Sequence, residues 1–122
     1  MRVLVVDDSR AMRMWMVSLL QEMTHQASVA EHGREALELL EGPRPFELAL
    51  VDWDMPVMDG MEFLRRVRAD ARYQAMKVIM VTARDSGDEV VEALQSGADD
   101  FLMKPVDREM LTEKMRMVGL QP

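Results

Sequence analysis

The segment LALVDWDMPVMDG, residues 48–60, decides how the chain is read. The apolar run from Leu48 to Val51 has the length and character of a buried strand, and it stops abruptly on Asp52. Asp54 and Asp59 follow, while Pro56 and Gly60 punctuate an irregular loop. A carboxylate at the tip of a core strand needs compensation, because burial opposes its ionisation.

Working outward, the same alternation recurs along the chain. Met1 to Val6 reads as a first strand, and Ser9 as the N-cap of a helix carrying Met12, Trp15, Met16, Leu19, Leu20 and Met23 on one face. Ser28 to Ala30 reads as a short second strand. A second helix carries Ala36, Leu37 and Leu40 and is stopped by EGPRP. Phe46 to Val51 is the third strand, and Gly60 opens a helix with Met61, Leu64 and Val67 facing inward. Val78 to Val81 is the fourth strand. It is followed by a helix with Val90, Val91 and Leu94 inward, closed by Gly97. Phe101 to Met103 is the fifth strand, then Lys104-Pro105, then a last helix bearing Leu111, Met115 and Val118. Strands alternating with helices predict a doubly wound α/β sandwich with a parallel sheet and right-handed crossovers.

Composition bounds the function. The 122 residues suit one domain, and 48% hydrophobic content is enough for a packed core. A formal net charge of −7 argues against a nucleic-acid backbone or an anionic membrane as partner. Cysteine is absent, which excludes disulfides and thiolate metal sites. Val3 to Val6 is too short a run for a signal peptide or a membrane span, so a cytoplasmic protein is expected. The 14 methionines suit adaptable core packing. His25 and His32 read as solvent-facing residues without a role.

In open α/β sheets, ligands bind outside the carboxyl ends of the strands. Those ends carry Asp7 and Asp8, Asp52, Thr82 and Lys104. Clustered carboxylates repel unless a cation joins them or one acid stays protonated, and oxygen donors without His or Cys suit Mg²⁺. Metal, ammonium and hydroxyl around one carboxylate are the parts of a phosphoryl-transfer site, with Asp52 as nucleophile and aspartyl-phosphate as product. Taken singly each residue is ordinary, since Asp pairs cap helices and Thr favours strands. The conjunction carries the reading.

These residues resemble the receiver domain of two-component response regulators. VLVVDDSRAMR, LALVDWDMPVMDG, VIMVTAR and GADDFLMKP look like its four signature segments, in order, across nearly the whole chain. The resemblance implies a flavodoxin-like sheet of strand order 2-1-3-4-5 with five helices. It implies that Asp52 accepts a phosphoryl group from a phosphohistidine on a sensor kinase or a histidine phosphotransfer domain. Asp8, Asp52 and the Asp54 backbone carbonyl would bind Mg²⁺ directly, with Asp7 acting through water. Thr82 and Lys104 would contact phosphoryl oxygens, Phe101 would be an aromatic switch that follows Thr82, and the Lys104-Pro105 bond would be cis. Chemotaxis relatives often carry Tyr where this chain has Phe101, so a contact through that hydroxyl is missing.

Residues 1–122 are expected to form one receiver domain without an output domain. The expected protein is monomeric, stand-alone and of chemotaxis type, a phosphoacceptor and not a turnover enzyme. It would dock a target through the fourth helix, fifth strand and fifth helix, and KPVDREMLTEKM has the spacing typical of that class. Asp54 and Arg84 each lie two residues beyond a site residue and are expected to pair over the phosphoryl group and tune its hydrolysis. The rivals are a phosphorelay intermediate, a phosphate-independent pseudo-receiver, and a haloacid-dehalogenase-like phosphatase using D-x-D. The last lacks its usual Thr after that motif and leaves Asp7-Asp8 without a role.

Overall fold

A computed structural model describes residues 1–83 and 87–122. Five parallel strands form one sheet: β1 (Arg2–Val6), β2 (Gln26–Ala30), β3 (Leu48–Asp52), β4 (Lys77–Thr82) and β5 (Asp100–Met103), in the order β2-β1-β3-β4-β5. The helices are α1 (Arg10–Glu22), α2 (Gly33–Leu40), α3 (Gly60–Ala69), α4 (Gly87–Gln95) and α5 (Arg108–Met117), with a 3₁₀ turn at Ala71–Tyr73.

The central strands are apolar on both faces because helices cover both faces. Leu4, Val6, Ala49, Val51, Val78 and Met80 pack with Phe63, Leu64 and Val67 of α3, on the side that also holds α2 and α4. Val3, Val5, Leu48, Leu50, Ile79 and Val81 face the other way, against Met16, Leu19 and Leu20 of α1 and Leu111 and Met115 of α5. The strand period of two thus feeds two separate cores.

Several expected elements shift. β2 starts at Gln26, two residues before the expected Ser28, because its whole length pairs with β1 from Arg2↔Gln26 to Val6↔Ala30. Its polar residues conceal it, as suits an edge strand with one neighbour. β3 starts at Leu48; Phe46 lies outside it, buried, with the Arg2 guanidinium 4.2 Å from its ring centroid. Trp15 is 47% exposed, since the buried stripe Met16, Leu19, Leu20, Met23 runs one position round the helix. In α4 the buried residue is Ala93, whereas Val91 and Leu94 are exposed. A small residue seats this helix against its neighbours, and the larger apolar side chains point away. Neither histidine is simply solvent-facing. Half-buried His32 caps α2, its Nδ1 accepting from Glu35 N at 3.2 Å, and His25 Nδ1 lies 3.0 Å from the Met1 amino group.

The sheet is fastened at the end opposite the acids by Arg68. Its guanidinium donates to the carbonyls of Gly97, Tyr73 and Met76 and to Asp99 Oδ2, at 2.8–3.1 Å. Asp99 Oδ2 also accepts from Val78 N at 2.8 Å. Gly97, in the left-handed region with φ 110°, ends α4 against Arg68, where an added Cβ would lie 2.6 Å from Arg68 Cγ.

Candidate functional site

The chain crosses from one side of β1 to the other between β2 and β3, so the crevice above β1 and β3 lies where the strand order reverses. Asp7 follows β1, Asp52 ends β3, Thr82 ends β4 and Lys104 follows β5. The sheet register therefore gathers residues far apart in sequence at one edge.

Asp7 and Asp52 are buried, Asp8 is exposed, and Thr82 is buried at 1% exposure. Oxygens of Asp7, Asp8 and Asp52 lie within 4.8 Å of one another. Lys104 Nζ bridges two of these acids, 3.0 Å from Asp7 Oδ2 and 3.2 Å from Asp52 Oδ1. Asp7 Oδ1 accepts from Ser9 N at 2.8 Å, a local turn that fixes the carboxylate before α1 begins. Ser9 then caps the helix, its side chain accepting from Met12 N. Arg13 Nη1 donates to the Asp7 carbonyl at 2.8 Å, and Lys104 N donates to the Thr82 carbonyl at 2.8 Å. The Lys104-Pro105 peptide is cis.

The electrostatics follow from this crowding. The Asp52 carboxyl is pushed up to about 6, first by burial and then by the neighbouring Asp7 charge, with Asp8 adding and Lys104 opposing. Burial works against the Lys104 ammonium, but hydrogen bonds and charge from Asp7 and Asp52 overrule it and raise its pKa. Three carboxylates against one ammonium leave a negative excess that a divalent cation would neutralise. The all-oxygen donor set with a mutual reach of 4.8 Å fits a hard ion such as Mg²⁺.

The loop after β3 is shaped around the Asp52 backbone. Gly60 N donates to the Trp53 carbonyl at 3.0 Å, and a Cβ at Gly60 would lie 2.3 Å from the Asp52 carbonyl oxygen. Only glycine permits that approach. Trp53 is buried and Asp54 exposed, while Val57 holds a left-handed φ of 66° at 71% exposure. Phe101 is half-buried against the α2–α4 side core, with Lys114 Nζ 5.0 Å from its ring centroid and 3.0 Å from Asp100 Oδ1. Arg84 lies outside the described residues. The structure thus brings Asp7, Asp8, Asp52 and Lys104 together and sets Thr82 at the end of the adjoining strand. Ser9 caps α1 and Gly60 opens α3 as expected, while their support of the site, and Arg13 altogether, lie outside the motif reading. For Ser9 the Asp-x-Ser spacing of a local side-chain turn is a usable signal.

The family model of the response regulator receiver domain matches residues 3–116. The chain belongs to that family. This receiver domain is 39% identical over 119 residues to a chemotaxis protein CheY homolog of Campylobacter jejuni, covering 97% of this chain and 92% of that protein. It is 35% identical to chemotaxis protein CheY1 of Helicobacter pylori, covering 97% and 96%. The solved structure of Vibrio cholerae chemotaxis protein CheY4 superposes with a TM-score of 0.89 at 34% identity, covering 96% of this chain and 97% of that one. The receiver fold with strand order 2-1-3-4-5 is therefore established, and the protein belongs with signalling domains. The D-x-D phosphatase alternative has no remaining support. Among the described residues, no helix is long and apolar enough to cross a membrane.

Proposed function

We propose that the protein is a stand-alone, cytoplasmic response regulator of chemotaxis type, phosphorylated on Asp52. The observation that carries this reading is the Lys104 ammonium bridging Asp7 and Asp52 within a cluster of three carboxylates. Two chemotaxis relatives of nearly the same length support the single-domain assignment of residues 1–122.

In the proposed reaction an Asp52 oxygen attacks the phosphorus of a phosphohistidine. The P–N bond breaks, and the imidazole nitrogen departs with the electron pair and is protonated. The rigid end of β3 aims the carboxylate, so catalysis is mostly positioning. Asp8, Asp52 and the Asp54 carbonyl are assigned to hold Mg²⁺, with Asp7 acting through water; when bound, the ion supplies charge neutralisation for the acids and the phosphoryl oxygens. Lys104 is assigned to one phosphoryl oxygen and the Thr82 hydroxyl to another. Thr82 moving toward the phosphate makes room for Phe101 to turn inward, which remodels the α4-β5-α5 face for a downstream protein. Asp54 and Arg84 are assigned to tune hydrolysis. Arg84→Ala should change the half-life of the isolated phosphoprotein, and an unchanged half-life sinks that assignment.

The deciding experiment adds Mg²⁺ and then acetyl phosphate while following Trp53 fluorescence and intact mass, for wild type and Asp52→Asn. The expected result is a Mg²⁺-dependent gain of one phosphoryl group that the variant loses. Absence of both metal response and adduct would leave a phosphate-independent docking module. A phosphoryl group passed rapidly to a histidine domain would favour the phosphorelay intermediate.

A further inference from the structure

Trp15 is a large aromatic residue left 47% exposed on α1, yet its indole is engaged. Nε1 donates to the Val106 carbonyl at 2.6 Å, across 91 positions of sequence. Val106 lies two residues after Lys104, and its side chain is buried against the α1–α5 side core.

The same helix begins at the acids. Ser9 N holds Asp7 Oδ1, and Arg13 holds the Asp7 carbonyl. Trp15 sits six residues beyond the Ser9 cap, about 9 Å along α1. The residues form a closed circuit: Asp7 to α1, Trp15 to Val106, back through Pro105 to Lys104, and from Lys104 Nζ to Asp7 at 3.0 Å. Upstream, the segment carrying Lys104 is pinned by its own N–H on the Thr82 carbonyl. Downstream, the indole holds the Val106 carbonyl, beside the buried Val106 side chain and the Asp107 cap of α5. A lysine has four rotatable side-chain bonds, so fixing its backbone narrows the positions its ammonium samples between Asp7 and Asp52.

We infer that Trp15 is a positioning residue for phosphoryl transfer, a strap from α1 to the segment after β5 that sets Lys104 over the acceptor. The inference rests on the proposed phosphoacceptor role of Asp52. Trp15 itself touches no reacting atom.

Trp15→Phe keeps an aromatic ring and removes the donor. Phosphorylation by acetyl phosphate at saturating Mg²⁺ should slow about three- to tenfold, on the scale of one lost hydrogen bond, with Mg²⁺ affinity from Trp53 fluorescence within about twofold of wild type. A merely structural role is separated by a double-mutant cycle. In a Lys104→Ala background, Trp15→Phe should cause no further slowing. An equal slowing in both backgrounds, or an unchanged rate with only a lower unfolding midpoint, overturns the inference.

A second readout does not depend on phosphorylation. The chain has three lysines, Lys77, Lys104 and Lys114, so acetylation by an amine reagent can be mapped residue by residue. Lys104 should label several-fold faster in Trp15→Phe, with Lys77 and Lys114 as unchanged internal standards; equal Lys104 labelling in both proteins overturns the strap. If wild type takes up no phosphoryl group, the phosphoacceptor reading fails by itself, and the labelling still decides whether Trp15 holds Lys104.

Discussion

Replacing Asp52 with asparagine should stabilise the metal-free protein. Asp52 is 7% exposed, and its folded-state pKa lies at about 6 against 3.8 for an unperturbed carboxyl. At 1.36 kcal/mol per unit, that difference corresponds to an upper limit of about 3 kcal/mol against the ionised form. Asp52→Asn removes the charge and keeps an oxygen that can accept from Lys104, which retains Asp7 as its ionic partner. Allowing for partial solvation, a gain of about 1–2 kcal/mol is expected at pH 7.5. For a domain of this size that raises the unfolding midpoint by roughly 3–10 °C.

The pH dependence carries the sign. Below pH 3.8 the wild-type carboxyl is protonated in both states, and the two proteins should match. Between 3.8 and about 6 the folded wild type retains a proton that the unfolded chain has lost, so the variant's advantage grows. Above about 6 both states are ionised and the advantage is constant. Urea denaturation in EDTA at pH 4, 5, 6 and 7.5 tests the whole curve. A variant no more stable than wild type at pH 7.5, or an advantage independent of pH, would refute the reasoning. Added Mg²⁺ should stabilise wild type and narrow the gap, because the ion binds the folded acids.

Val57→Asn should stabilise by about 1 kcal/mol, since a β-branched residue at φ 66° is replaced by one that tolerates the left-handed region; a lower urea midpoint would contradict this. Gly60→Ala should cost about 3 kcal/mol or more and slow acetyl phosphate uptake, because the new Cβ must displace the Asp52 backbone; an unaffected crystal position of Asp52 would overturn it. Arg68→Ala should cost about 2–4 kcal/mol, measured by urea denaturation, because three carbonyls and Asp99 lose one shared donor. Phosphorylation per folded molecule should be nearly unchanged in that variant, as Arg68 lies at the opposite end of the sheet.

Much of this molecule is legible in its sequence, for identifiable reasons. Buried parallel strands are continuous apolar runs, so β1, β3 and β4 stand out, and the rule that open sheets bind ligands at strand ends collects the site residues from them. Edge strands and lightly buried helices are less legible. β2 carries Gln26 and Ser28 among its five residues, as suits a strand with only one neighbour. The sequence of α4 supports more than one helical frame, and Val91 and Leu94 point to the wrong one because a buried Ala93 carries little hydrophobic signal. Long-range contacts from side chains to carbonyls have no periodicity at all. Arg13 on Asp7, Trp15 on Val106 and Arg68 on Gly97 become visible only when the chain is folded.

The shallow seating of α4 has a dynamic consequence. α1 and α3 each place several large side chains in a core, so detaching either exposes apolar surface worth several kcal/mol. In α4 the fully buried residue is an alanine, and displacing it forfeits little packing. α4 should therefore sit at the low end of the local-opening scale, with backbone amides that exchange with deuterium earlier than those of α1 or α3. A helix so lightly held can change its pose while both cores remain intact.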